Sequence, residues 1–173
     1  MGTLVEMMAA LRTNARMEPY LKALARIDSA GHRNLLAPFD RLLKKGLVKQ
    51  GKAITFRYFS KSPSTSHSPA MRAPVHDLTG YEHALNRLHV EDFVRRVRER
   101  YHLTLLRHAL ALGNEVIECV AHLAPRAKVQ VTIGFDVNVR KGICVFSFHL
   151  LRKGQTLWPD IEAFQEPCLL MES

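Results

Sequence analysis

Residues 42–59 read LLKKGLVKQGKAITFRYF, and the parsing of this run decides the fold expected for the first third of the chain. It opens at helical spacing, stops at Gly46 and turns again at Gly51 into an alternating strand. LVKQ and AITFRYF are therefore expected to pair across the tight Gln50-Gly51-Lys52 turn. Ile54, Phe56 and Tyr58 fall on one face of that ribbon, and Thr55 and Arg57 on the other. Four lysines and an arginine occupy its polar positions.

Upstream, Leu35, Leu36, Phe39, Leu42 and Leu43 recur at helical spacing and predict a helix from about His32 to Lys45, with Gly46 as its C-cap. Pro38 interrupts it, so the helix either starts near that proline and is short, or bends there. A preceding helix is expected over EPYLKALARID, where Pro19 suits the first position and Tyr20, Leu24 and Ile27 share a face. SAG (29–31) breaks it. The segment TLVEMMAALRTNA (3–15) opens with Thr3 and Glu6 in capping-box spacing and predicts a first helix.

Three helices followed by a hairpin make residues 3–59 resemble a winged helix-turn-helix domain, most of all over FDRLLKKGLVKQGK (39–52). The resemblance implies double-stranded DNA as ligand. It places His32, Arg33 and Asn34 at the leading end of a recognition helix, with Arg41 further along its exposed face. Arginine and asparagine side chains suit base reading. Lys44 and Lys45 follow at the helix end, and Lys49 and Lys52 flank the wing tip beside the phosphate backbone.

Charge supports the same division. The chain of 173 residues carries a formal charge of +9. Residues 1–60 hold 11 Lys and Arg against 4 Asp and Glu, whereas residues 76–173 hold 12 against 12. A basic module facing a polyanion, joined to a neutral module, is the arrangement this asymmetry suggests. SKSPSTSHSPAMRAP (60–74) contains three prolines and five serines and almost nothing fit for a core, so residues 60–75 are expected to be a linker.

In the neutral module, LTGYEHALNRLHVED predicts a short helix with Thr79 and Glu82 in capping-box spacing. A long amphipathic helix then runs through Phe93, Val94, Val97, Tyr101, Leu105 and Leu106 towards Gly113, which is expected to end it. Asn114 would cap a further helix before Pro125. Its apolar stripe needs a partner surface, within the chain or across a dimer. AKVQVTIGFDVNV and GICVFSFHLL read as strands about a turn at RKG (140–142). The second is apolar at nearly every position and so suits burial on both faces. The tail TLWPDIEAFQEP is expected to add a short helix.

Chemistry-bearing clusters are weak. His76-Asp77 lacks the further ligands of a metal phosphohydrolase, and Glu82, His83, His89, Glu91 and Asp92 match no standard ligand spacing. His102 and His108 are six apart, off the spacing that lets two imidazoles share a metal. Cys119 and His122 share an apolar helix with no orienting acid. No nucleotide loop or hydrolase elbow is present. The three cysteines suggest buried thiols. No stretch of about 18 apolar residues exists, and no secretion signal opens the chain. A cytoplasmic protein without cofactor or metal is expected.

The expectation is thus an α+β protein: a winged helix-turn-helix domain at 1–59, a linker at 60–75, and an α+β dimerisation or effector module at 76–173. Its expected role is a sequence-specific DNA-binding regulator, paired as a homodimer through 76–173 and open to a small-molecule or protein effector. Alternatives are a plasmid or phage replication initiator, an interaction adaptor whose winged helix touches no DNA, and a metal-dependent nuclease.

Overall fold

The computed structural model of the protein describes residues 11–27, 34–59, 77–95, 101–136, 142–155, 157 and 160–173. Its first described element is a strand. β1 (Arg12–Thr13) pairs antiparallel with β7 (Cys168–Glu172), setting Arg12 opposite Leu170 and Thr13 opposite Leu169. Between them the chain forms α1 (Glu18–Ile27), a 3-10 turn (Ala37–Phe39), α2 (Asp40–Lys45), β2 (Leu47–Gln50) and β3 (Ala53–Phe56). There follow α3 (Leu78–Leu85), β4 (Leu88–His89), a 3-10 turn (Val90–Asp92), α4 (Tyr101–Leu123), β5 (Val129–Asp136) and β6 (Ile143–Leu150). Five strands make one antiparallel sheet in the order β1-β7-β5-β6-β4, and β2-β3 make a second.

Strand register explains how the core is shared. Val129, Val131, Ile133 and Phe135 of β5 stand opposite Leu150, Phe148, Phe146 and Cys144 of β6. Directly opposed residues share a face, so these side chains, with Leu169 and Met171 of β7, make one apolar surface. Leu105, Leu106, Ala109, Leu110, Leu112, Val116 and Val120 of α4 belong to the same buried cluster. The stripe of the long helix therefore finds its partner within the chain. Gly113 does not end that helix. It lies inside α4, where a Cβ would come 2.7 Å from Met171 Sδ and 3.4 Å from Val131 Cγ1. Glycine lets the helix axis approach the sheet there.

The basic segment joins this core. Met17, Leu21, Leu24, Phe39, Leu42, Ile54 and Phe56 are buried in the cluster that also holds Phe135, Phe146 and Phe148. Tyr20 of α1 stacks on Phe135, and Phe56 of β3 meets Phe148 of β6 edge-on with centroids 5.1 Å apart. The winged helix-turn-helix architecture is thereby overturned. Most of the first expected helix lies outside the described residues, and its end, Arg12–Thr13, is an edge strand of the main sheet. The third helix is cut to the six residues of α2, because Pro38 enters at the start of a 3-10 turn and Asn34 adopts φ 52° before it. The alternative in which the helix begins near Pro38 is the one realised.

The hairpin forms where its turn residues required. Gly51 (φ 61°) and Lys52 close a two-residue loop, and Gly46 (φ 69°) accepts the end of α2, its amide donating to Leu43 O at 2.9 Å. Yet the hairpin is no free wing. Ala53, Ile54, Thr55 and Phe56 are all buried, so Thr55 does not face solvent as its position in the alternation suggests.

A seam of side chains holds the hairpin to the main sheet. Glu82, fully buried on α3, accepts Ile54 N–H at 2.7 Å with one oxygen and Leu150 N–H at 2.8 Å with the other. Arg152 closes on the same carboxylate with Nη1 at 2.7 Å and Nη2 at 2.8 Å. One turn later Asn86 accepts Phe56 N–H at 3.1 Å and donates to Ile54 O at 2.9 Å and Phe148 O at 3.2 Å. Positions i and i+4 of a helix share a face, so one face of α3 and the residue after it satisfy the facing edges of β3 and β6. The expected capping box is replaced accordingly: Asp77 caps α3 through Gly80 N–H at 2.6 Å, and Thr79 and Glu82 turn inward. The short helix expected after Trp158 is not found among the described tail residues, which turn at 161–166 and enter β7. Among the described residues no helix is long and apolar enough to cross a membrane.

Removing one partner of a buried charge pair leaves the other uncompensated, at a cost of ~3–5 kcal/mol. Glu82→Ala is accordingly expected to lower unfolding free energy by about that amount in urea titration, with Asn86→Ala following. A loss below ~1 kcal/mol for both would show that the seam does not hold the hairpin.

Candidate functional site

The helix–hairpin unit at 40–57 gathers most of the residues that the sequence nominated. Arg41, Lys44, Lys45, Lys49 and Lys52 are all exposed. Lys44 reaches back to Asp40 at 2.9 Å, one helical turn away, an exposed pairing of small energetic weight. Lys45 sits with its ammonium 4.5 Å above the Tyr58 ring, which holds its charge beside the base of the hairpin. Lys52 lies at the turn, its own carbonyl held by Arg152 Nη2 at 2.8 Å. The charges thus sit on an anchored scaffold.

Arg57, which the sequence reading placed only on a strand face, is a sixth exposed cation. Its amide bonds Gly46 O at 3.0 Å, setting its backbone beside the end of α2. Asn34 is exposed in the loop ahead of the 3-10 turn, accepting Ala37 N–H on its carbonyl at 3.1 Å. It is not on a helix. His32 and Arg33 lie outside the described residues. A six-residue helix, ~9 Å long, does not present the extended row of base-facing side chains expected of a recognition helix.

The second face of the main sheet, away from α4, has a different chemistry. Gln130 and Thr132 of β5 stand opposite His149 and Ser147 of β6, and Gly134 opposite Val145. α3 covers part of this face. Ser147 Oγ donates to His83 O at 2.7 Å and lies 3.0 Å from His83 Nδ1. The His83 and His149 rings meet edge-on at 6.0 Å. Burial first, then His149 and Arg87, lowers His83 from 6.5 to about 4. Burial also lowers His149, whose two ring nitrogens have no hydrogen-bond partner among the described residues. Both imidazoles are neutral at pH 7.

The weaker clusters resolve into separate local pairs. His89 Nδ1 meets Glu91 at 3.1 Å, and the other Glu91 oxygen accepts Cys144 N–H. His108 bonds Leu35 O at 2.6 Å, and His102 packs edge-on against Tyr20. Cys119 donates to Glu115 at 3.6 Å, and burial followed by the Glu115 charge raises its pKa, keeping the thiol protonated. Among the described residues no group of three or more His, Cys, Asp or Glu is placed to hold a metal ion.

Residues 12–173 match the model of the Uncharacterized protein PM0498 family. The chain belongs to that family. No curated protein and no solved structure matches it. In this PM0498-family chain the matched stretch runs from β1 to the C-terminus, so it spans both the basic unit and the neutral half that the sequence reading separated.

The histidines whose pKa is lowered have a pH consequence. Above pH 6.5 His83 is uncharged in both folded and unfolded chains and contributes no penalty. As pH falls towards 4 the unfolded chain takes up a proton that the folded chain refuses, so stability drops through that window. His149, His102 and His108 shift in the same direction. For His83 alone the loss reaches roughly 3 kcal/mol at the acid end. Urea midpoints at pH 7.5, 6 and 5 should fall in that order, with His83→Gln flattening the trend; an unchanging midpoint would contradict it.

Proposed function

We propose that the protein is a cytoplasmic DNA-binding regulator that holds a duplex by its phosphate backbone through the helix–hairpin unit at 40–57. The observation that carries this reading is the exposure, within the 18 residues 40–57, of Arg41, Lys44, Lys45, Lys49, Lys52 and Arg57 against one carboxylate, Asp40. A hairpin of four-residue strands extends ~13 Å from base to tip. Lys45 and Arg57 belong to its base and Lys49 and Lys52 to its tip, so the cations are spread over a length comparable with several successive phosphates of one strand. Neutralising them releases condensed counterions, which gives affinity before any base is read.

Anchorage supports the same reading. The hairpin tip is tied through Lys52 O to Arg152 and so to buried Glu82. The lysines therefore project from a fixed scaffold, with little ordering left to do on binding. Selectivity in this proposal falls to Arg41, whose guanidinium can meet guanine bidentately. Pairing of two copies, for two half-sites, would use surface other than the α4 stripe, which the sheet already covers; an effector would act from residues 76–173.

Titration of the full chain against a labelled duplex at several salt concentrations tests this. Neutralisation of ~6 phosphates gives a log–log slope of about −5. Lys49→Glu with Lys52→Glu should weaken binding at least ~10-fold at low salt and reduce the slope by about 2. Arg41→Ala should narrow the difference between preferred and arbitrary sequences. Affinity and slope unmoved by the double reversal would remove the hairpin from any interface.

A further inference from the structure

We infer that the groove on the second face of the main sheet binds a small, uncharged, ring-sized molecule bearing a hydrogen-bonding group. This site is separate from the basic hairpin and stands on different observations. The groove has a volume of about 370 Å³, near the lower end of the usual range for small-molecule sites, roughly 300–1,000 Å³. Its floor is Thr132, Gly134 and Ser147, from the central strands β5 and β6. His83 of α3 lines one side, and Phe164, just ahead of β7, lines it as well.

Three features define the ligand. Thr132 lines the floor and is 8% exposed, and its Oγ1, buried just beneath that surface, has no hydrogen-bond partner among the described residues. A buried hydroxyl of this kind gains from a partner that reaches it. Gly134 leaves the floor open: a Cβ built there comes no nearer to any atom than 3.9 Å, at Pro167 O. Val145, Ile143 and Phe164 supply apolar wall against which a ring can lie.

Charge at the rim argues against an ion. Arg87 and Glu166 both border the groove and both are exposed. An anion gains one and meets the other, as does a cation. His83 adds no charge, since burial keeps it neutral. A neutral ring with an amide or hydroxyl satisfies floor and walls with no unpaired charge left behind.

The test uses the isotope-labelled full chain titrated with benzamide, benzoate and benzylammonium, which share a ring and differ in charge. Benzamide should produce saturable shifts at the amides of Thr132, Gly134 and Ser147, with the two ions binding more weakly. Gly134→Val fills the floor with a strand-favouring side chain and should abolish those shifts while the rest of the spectrum stays dispersed. Thr132→Val keeps the shape, removes the hydroxyl and should weaken benzamide about 3- to 10-fold. No saturable shift with wild type, tighter binding of either ion, or benzamide shifts that survive in folded Gly134→Val would overturn the inference. Should Gly134→Val fail to fold, unchanged affinity in Thr132→Val overturns it instead.

Discussion

The fully buried Glu82 carboxylate, shared by two backbone amides and a guanidinium, is the constraint on which the architecture turns. β3 and the outer half of β6 present edges that cannot pair directly with each other. Unsatisfied buried N–H and C=O groups each cost ~1–3 kcal/mol, so the two sheets can meet only if something supplies the missing partners. Glu82 and Asn86 do so, because a helix places i and i+4 side by side. Arg152 then neutralises the charge that this solution brings inside. The result is a side-chain-mediated seam in place of a β-ladder.

From that seam the division of labour across the main sheet follows. One face is committed to α4 and to the aromatic cluster that also receives Phe39 and Phe56. It is close-packed, to the point that Gly113 is needed for clearance. The other face retains Gln130, Thr132, Ser147 and His149, all buried and all polar. α3 covers it only in part, since its inward face is already taken by the two strand edges. A groove with hydrogen-bonding capacity is left between α3 and the segment before β7.

The basic unit owes its rigidity to the same residues. Lys52 carries its charge outward while its carbonyl is held by the arginine that balances Glu82. Polar burial and surface charge are thus coupled through a single guanidinium. This coupling explains why a short hairpin, marginal by itself in water, presents lysines in defined positions.

Much of the local structure was legible in the sequence. Gly46 ended a helix and Gly51-Lys52 closed a hairpin because both needs are met within four residues. α1 and the two strands β5 and β6 followed from period alone, whereas the long helix was legible only in type: Phe93 and Val94 lie outside any helix, and α4 runs unbroken from Tyr101 through Gly113 and Asn114 to Leu123. The exposure of Arg41, Lys44, Lys45, Lys49 and Lys52 was readable for the same reason. What failed was assembly. β1 and β4 are two residues each and carry no period, and CLLME of β7 follows a tail whose pattern suggests a helix. Glu82 looked like a capping residue, and no local signal distinguishes a cap from a carboxylate that will bind a strand 28 residues back and an arginine 70 residues on. The excess of positive charge, the turns and the amphipathic periods are properties of neighbouring residues, so the chain by itself determined them. Which surfaces are buried together, that the basic segment shares a core with the neutral half, and where a groove opens depend on contacts between distant residues, whose energies arise only once the chain has closed on itself; these the tertiary structure alone decided.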